Sequence, residues 1–285
     1  MKKRIGLICI LVLMISLVAG CGTSGNNTSK TTKEPLKVAM DLKYPPFTAT
    51  DTKGNPQGME VDMAYALGKY LHRDVKIVNT DFSMLIPALE TGQADIVISE
   101  MTVKEDRKEK VDFSSPYLYG RTIALVNKKF AQANHVTDAM PPAEFFAIKN
   151  AKFVGLAGTI AVSVPQSYGV QVEEATEIAS ATMEITKGTA DILVGEDSVL
   201  GIHTANPDTT VVYSGIKDYS ECAMAVKKGN QELLEQANAF IAAMYKDGGF
   251  YKEAGSKYDA AIGEYLQDKT KGLAYLIYPP QAAKE

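Results

Sequence analysis

Two stretches, Gly92-Gln93-Ala94-Asp95-Ile96-Val97-Ile98-Ser99-Glu100 and Gly188-Thr189-Ala190-Asp191-Ile192-Leu193-Val194-Gly195-Glu196, carry one pattern twice. Each follows a helix-like segment, stops that helix at a glycine and enters a short apolar strand. Each strand then runs out at a glutamate. A continuous apolar run suits a strand covered on both faces. A common helix-to-strand turn explains one such stretch well, but it leaves the matching glutamates unexplained. The repeat therefore predicts two similar α/β units, arranged as two lobes. In open α/β sheets ligands bind beyond the carboxyl ends of the strands. Ser99, Glu100 and Glu196 are thus expected where the mouths of the two lobes face each other.

Working outward, Leu36-Lys37-Val38-Ala39-Met40 alternates as a strand, and Tyr44-Pro45-Pro46-Phe47 breaks it as a loop. Met63, Ala66, Leu67, Tyr70 and Leu71 then recur at helical spacing, and Val75, Ile77 and Asn79 alternate again. A second helix is predicted near residues 83–91, with Pro87 close to its first turn and Gly92 as its stop. Strands alternating with helices imply βαβ units and mainly parallel sheets. The 285 residues, 46% hydrophobic and 22% charged, suffice for one large domain or two small ones. A formal net charge of -4 without any basic stripe argues against a nucleic-acid partner.

The chain opens with Lys2, Lys3 and Arg4, an apolar run over residues 5–17, and then Val18-Ala19-Gly20-Cys21. The run is too short and wrongly flanked for a membrane span, so residues 1–20 read as a cleaved signal. The small residues before Cys21 resemble the lipobox of bacterial lipoproteins, in which the cysteine is acylated. Residues 21–34 then form a lipidated tether, rich in Gly, Ser, Thr and Asn. Loss of the signal leaves 27 basic residues against 34 acidic ones, a formal charge of -7. Cys9 leaves with it, so Cys222 is the one cysteine left beside the acylated one, with no disulfide framework and no metal-type spacing. Its apolar surroundings predict a buried, inert thiol.

Further motifs are Phe82-x-x-Leu85-Ile86-Pro87-Ala88-Leu89, Met101-Thr102-Val103 leading to Arg107, and Val111-Asp112-Phe113-Ser114-Ser115-Pro116-Tyr117. Val154-Gly155-Leu156-Ala157-Gly158-Thr159 and Ala225-Val226-Lys227-Lys228-Gly229 complete the series. In this order, after Tyr44-Pro45-Pro46-Phe47, the chain from 36 to 258 resembles the extracytoplasmic amino-acid-binding proteins of ABC importers, solute-binding protein family 3. The resemblance implies an α/β, two-lobed type II periplasmic-binding-protein fold with two mixed, mainly parallel sheets and a hinge. It implies crossings near residues 122–127 and 221–226, with lobe 1 from 35–123 and 225–285 and lobe 2 from 124–224. Residues 260–285 exceed the usual family ending and are expected as an extra helix or tail on the first lobe.

An amino acid presents a carboxylate, an ammonium and a side chain. Arg107 can supply a bidentate fork, and the resemblance assigns it and Thr102 to the carboxylate. Gly158-Thr159-Ile160 lies between a strand and a helix, where amides attract anions. The family often carries two threonines there, so Ile160 removes one hydroxyl. Glu196 falls where the family has an aspartate for the ammonium, and Tyr44 and Phe82 match rings that sandwich the side chain. Glu100 departs from the family's glycine or serine, and Asp41 lies in a loop where some members use an acid against cationic side chains. A zwitterion pairs with Arg107 and Glu196, leaving Asp41 and Glu100 without a partner unless Lys43 or Lys104 neutralises them. A cationic side chain, as in arginine, lysine or histidine, would offset the cost of burying them.

The expected function is capture of an amino acid or similar small zwitterion by hinge closure, and its delivery to an ABC permease. The expected protein is a monomer, lipid-anchored on the extracytoplasmic face of a bacterial membrane, with no cofactor, metal or nucleic acid. The alternative is a cyclohexadienyl-dehydratase-like enzyme with Glu100 or Glu196 as general acid. No nucleophile elbow, Walker loop, zinc motif or Cys–His pairing accompanies it, and His72, His135 and His203 are scattered. A sensory ectodomain is a third reading, but no membrane span follows Leu276 and no kinase module is visible.

Overall fold

The strand predicted from Leu36 is β1 (Leu36–Met40), and its alternate residues enter different cores. Leu36, Val38 and Met40 face one apolar cluster and Ala39 another, so the strand is covered on both faces. The computed structural model describes residues 34–266 and 268–280. The expected signal, the tether and Cys21 lie outside the described residues, save for Glu34 at the tether's end. After β1 the chain makes the loop holding Tyr44 and a small hairpin of β2 (Ala49–Thr50) and β3 (Pro56–Gln57). Helix α1 (Met59–Leu71) buries Met59, Met63, Ala64 and Leu67, and β4 (Val75–Asn79) returns parallel to β1. The helix predicted near 83–91 is a 3-10 turn at Phe82–Met84 running into α2 (Leu85–Glu90). Then come β5 (Ile96–Val97), α3 (Glu105–Lys108) and β6 (Val111–Arg121).

The second sheet opens with β7 (Ile123–Asn127), followed by α4 (Lys128–Ala133) and α5 (Pro142–Phe146). It continues through β8 (Phe153–Leu156), α6 (Ile160–Ser167), β9 (Val172–Ala175) and α7 (Ile178–Lys187). It ends with β10 (Ile192–Gly195), α8 (Leu200–Ala205) and β11 (Thr210–Tyr213). The chain then rejoins the first sheet as β12 (Tyr219–Lys227) and closes with α9 (Gln231–Met244), α10 (Phe250–Tyr265) and α11 (Ala274–Ile277).

The sheets run β4-β1-β5-β12-β6 and β11-β7-β10-β8-β9. In each, four strands point one way and a single strand, β12 or β7, is reversed. The two repeat strands, β5 and β10, are the middle strands, each between one parallel and one antiparallel neighbour. The repeat has a physical cause in its aspartate. Asp95 Oδ2 accepts from Lys37 N at 2.9 Å while Asp95 N donates to Lys37 O at 2.8 Å. Asp191 and Lys152 exchange the same pair of bonds, both at 2.9 Å. Each aspartate thereby pins the start of the middle strand to its parallel neighbour. Gly92 and Gly188 precede them at φ 75, the left-handed conformation that ends a helix.

The chain leaves the first sheet between β6 and β7, at Thr122. Its return differs from expectation: residues 221–226 lie wholly inside β12, paired with β6. The change of sheet falls at 214–218, because the two crossing segments already pair where Thr122 N donates to Asp218 O at 2.9 Å. The described part of the tail packs on the first lobe, with Leu273, Leu276 and Ile277 in its core. Among the described residues no helix is long and apolar enough to cross a membrane.

Candidate functional site

The carboxyl ends of the two sheets face each other across a cleft lined by polar and aromatic side chains from both lobes. Tyr44, Phe82, Ser99, Glu100, Thr102 and Arg107 line it from the first lobe, and Thr159, Ile160 and Glu196 from the second. Asp41 and Gly158, also predicted for the site, stand back from it. Asp41 is buried behind Ser99, whose Oγ accepts from Asp41 N at 3.0 Å. Its Oδ2 accepts from Phe82 N at 3.2 Å, while Oδ1 is buried without a hydrogen bond and lies 3.9 Å from Lys43 Nζ. Burial raises the Asp41 acid to about 6, with Lys43 pulling the other way.

Arg107 is buried on α3 with its guanidinium held between the lobes. Nη1 donates to Thr102 O at 2.7 Å, and Nη2 donates to Gly158 O in the second lobe at 2.5 Å. Its face rests 5.3 Å from the Phe82 ring centroid. Two of five donors are thus committed, which fixes the fork and leaves three for another partner. Lys43 Nζ to Glu177 Oε2 at 2.7 Å and Lys104 Nζ to Ser163 Oγ at 3.1 Å also cross the cleft.

Thr102 and Glu196, predicted for opposite ends of a ligand, are joined to each other. Thr102 Oγ1 donates to Glu196 Oε1 at 2.7 Å. The same oxygen accepts a short bond from Ser220 Oγ, and Cys222 Sγ lies 3.5 Å from Oε2. Room for this carboxylate comes from Gly120, where a Cβ would sit 2.7 Å from Oε2. Burial pushes the Cys222 thiol well up, with Glu196 and Glu100 adding to it, so the thiol is inert as expected. Thr159 caps α6, accepting from Ala161 N at 3.2 Å and donating to Leu156 O at 2.7 Å.

Glu100 adopts φ 43, a left-handed conformation that costs a residue with a Cβ about 1–2 kcal/mol. Its amide is anchored there by Glu60 Oε1 at 2.9 Å and Tyr117 Oη at 3.1 Å. Tyr117 also donates a short bond to Glu60, whose side chain is wholly buried and whose Oε2 has no hydrogen bond. Burial raises the Glu60 acid to about 7. Burial first, then Glu60, Glu196 and Asp197, hold the Glu100 acid well above the usual carboxylate range. Asp197, raised by burial to about 6, is tied to Arg121 N at 2.9 Å.

Several members of the site escaped sequence reasoning. Thr48 and Ile178 line the cleft, and Thr48 was within reach because it closes the Tyr44 loop, donating to Asp41 O at 2.7 Å. Glu60 reads in sequence as an ordinary acid in the first turn of a helix. Ser220 belongs to a strand whose pairing sets its position. His72, His135 and His203 all lie off the cleft lining.

The sequence signature of the family described as bacterial extracellular solute-binding proteins, family 3, matches residues 36–258. The L-cystine-binding protein TcyJ of Escherichia coli is 29% identical over 245 residues, covering 83% of this chain and 89% of that protein. An ancestral arginine-binding protein bound to arginine superimposes with a TM-score of 0.68 at 30% identity, over 79% of this chain and 98% of that one. An ancestral amino acid-binding protein, a precursor of cyclohexadienyl dehydratase, matches at 0.68 and 31% identity, over 78% and 94%.

Proposed function

The chain belongs to the bacterial extracellular solute-binding proteins, family 3, and we propose that its cleft captures a free amino acid for an ABC importer. The ligand class is an amino acid with a cationic side chain: arginine, lysine or histidine. One observation carries this reading, the charge imbalance of the cleft. Glu100 and Glu196 line it against Arg107 alone, and Glu60 is buried behind Glu100, whereas Asp41 and Asp197 have Lys43 and Arg121 beside them. A zwitterion adds no net charge, and closing the lobes over excess carboxylate is costly without a further cation. The arginine-bound ancestral protein supports the class.

In this reading the ligand carboxylate takes the remaining donors of Arg107 and the first turn of α6 at Thr159 and Ile160. The ammonium takes Glu196 and releases the Thr102 hydroxyl, which turns to the ligand carboxylate. Glu100 receives the side-chain cation, and Tyr44 and Phe82 flank its stem. The protein acts as a monomer, anchored through acylated Cys21 on the extracytoplasmic face, and hands its cargo to the permease.

A thermal-shift panel of amino acids on Lys33–Glu285, one compact unit, tests the proposal. A ligand at a hundred times its Kd stabilises by about 2.7 kcal/mol. Arginine, lysine or histidine is expected to respond most strongly. Equal stabilisation by a neutral amino acid would refute the cationic side chain, and silence across the panel would refute amino-acid capture. A second reading, a dehydratase, draws on the high acid of Glu100 in the cleft and on the dehydratase precursor among the similar structures. Turnover of prephenate or arogenate that disappears in Glu100→Gln would favour it.

A further inference from the structure

The family signature ends at 258, but α10 runs on to Tyr265 and a tail follows. This tail is fixed to the first lobe. Leu273 N donates to Asp259 Oδ1 at 2.7 Å, and Leu266, Leu273, Leu276 and Ile277 are buried in the first lobe's core. One of its aromatic residues touches the second lobe directly, and another is linked to it only through Arg121 of the first lobe. The Tyr265 ring meets Phe47 of the first lobe edge-on, with centroids 5.6 Å apart. Its hydroxyl is hydrogen-bonded to the backbone of Gly201, in α8 of the second lobe. The fit is close enough that a Cβ on Gly201 would lie 2.5 Å from Tyr265 Cε2.

The second bridge passes through Arg121, the last residue of β6 before the crossing. Its guanidinium lies 3.4 Å over the Tyr275 ring and donates to Tyr275 O at 3.3 Å. Its backbone N–H donates to Asp197 Oδ2, the oxygen its own Nη1 approaches at 3.7 Å. Asp197 follows β10 of the second lobe, one residue after cleft-lining Glu196. Beside the cleft, a groove shares Tyr44 and Ile178 with it and is walled on one side by Ala261, Glu264 and Tyr265.

We propose that the tail after residue 258 is an interlobe strap, seated in the first lobe and holding the second through Tyr265 on Gly201 and through Tyr275, Arg121 and Asp197. Opening the hinge moves α8 and Asp197 away from a tail that cannot follow, because its apolar side chains are buried in the other lobe. Both contacts must break for full opening, so the strap restricts the open state. This goes beyond the amino-acid reading and holds for any ligand.

The test is a distance measurement between spin labels on Lys33–Glu285 carrying Lys76→Cys and Glu173→Cys. These exposed residues lie on β4 and β9, the far edges of the two sheets, and buried Cys222 is shielded from labelling. Tyr265→Ala removes the bridge from the tail. Gly201→Ala wedges it from the second lobe while favouring the helix it sits in, so it serves if Tyr265→Ala fails to fold. With no ligand added, each folded variant is expected to raise the long-distance population at least threefold. A distribution matching that of the parent in either folded variant overturns the strap. A lowered unfolding midpoint with unchanged distances would mean simple packing, and equally overturns it.

Discussion

Glu60→Gln offers a sharp test of the buried acids around the cleft. Glu60 is wholly buried in the first turn of α1 and accepts from Tyr117 and Glu100 through Oε1. Its acid sits at about 7 in the fold against 4.5 ordinarily, chiefly through burial. A carboxyl raised in the native state binds more protons folded than unfolded, so its contribution is intact below the ordinary value. It is lost as pH climbs through the folded one. Between pH 5 and pH 8 those two values amount to roughly 2–3 kcal/mol of lost stability. Glutamine keeps the acceptor for Tyr117 and Glu100 but cannot ionise, and it places an amide where Oε2 has no partner, at about 1–3 kcal/mol. Urea unfolding at pH 5 and pH 8 separates these effects. Glu60→Gln should be the weaker protein at pH 5, and should lose roughly 2–3 kcal/mol less than the parent on going to pH 8. Parallel losses in both proteins would show that Glu60 is ionised throughout, and the account of the acidic cluster would fail.

Arg107→Ala is expected to abolish the thermal shift given by any α-carboxylate ligand; a retained shift removes Arg107 from the site. Arginine binding should release protons, because burial holds the Glu100 acid well above the usual carboxylate range and a cationic side chain favours its ionised form. Titration calorimetry in two buffers of different ionisation enthalpy reads this, and Glu100→Gln should diminish the release; an unchanged release would exclude Glu100. Asp95→Ala and Asp191→Ala should each cost about 1.5–3 kcal/mol in urea unfolding, since each strips a charge-assisted acceptor from a strand-start amide. A loss at one position only would break the equivalence of the repeats.

The repeat was legible because it is made by short-range physics. Glycine ends a helix, aspartate grips the next strand over, and the apolar run marks a buried strand; all three are written in consecutive residues. The lining of the cleft was largely legible too, because strand ends must face it. Partnerships across the chain were not. Thr102 bonds Glu196, 94 residues on, and nothing local in either stretch favours that over a bond to ligand. Glu60 looks like a solvated helix acid until Tyr117 and Glu100 are folded over it. The crossing at 214–218 depends on where β12 meets β6, and register is a property of two strands rather than one.

The position of β12 has a consequence for the order in which the molecule is completed. It lies between β5 and β6, so the first sheet stays split until residues 219–227 arrive. The second sheet is drawn from one unbroken run, 123–213, and needs nothing made later. A chain delivered from its amino end therefore finishes its middle before its beginning. The early strands must wait, with apolar edges unpaired, for a partner more than 90 residues downstream, and that interval is when the protein is most exposed to aggregation.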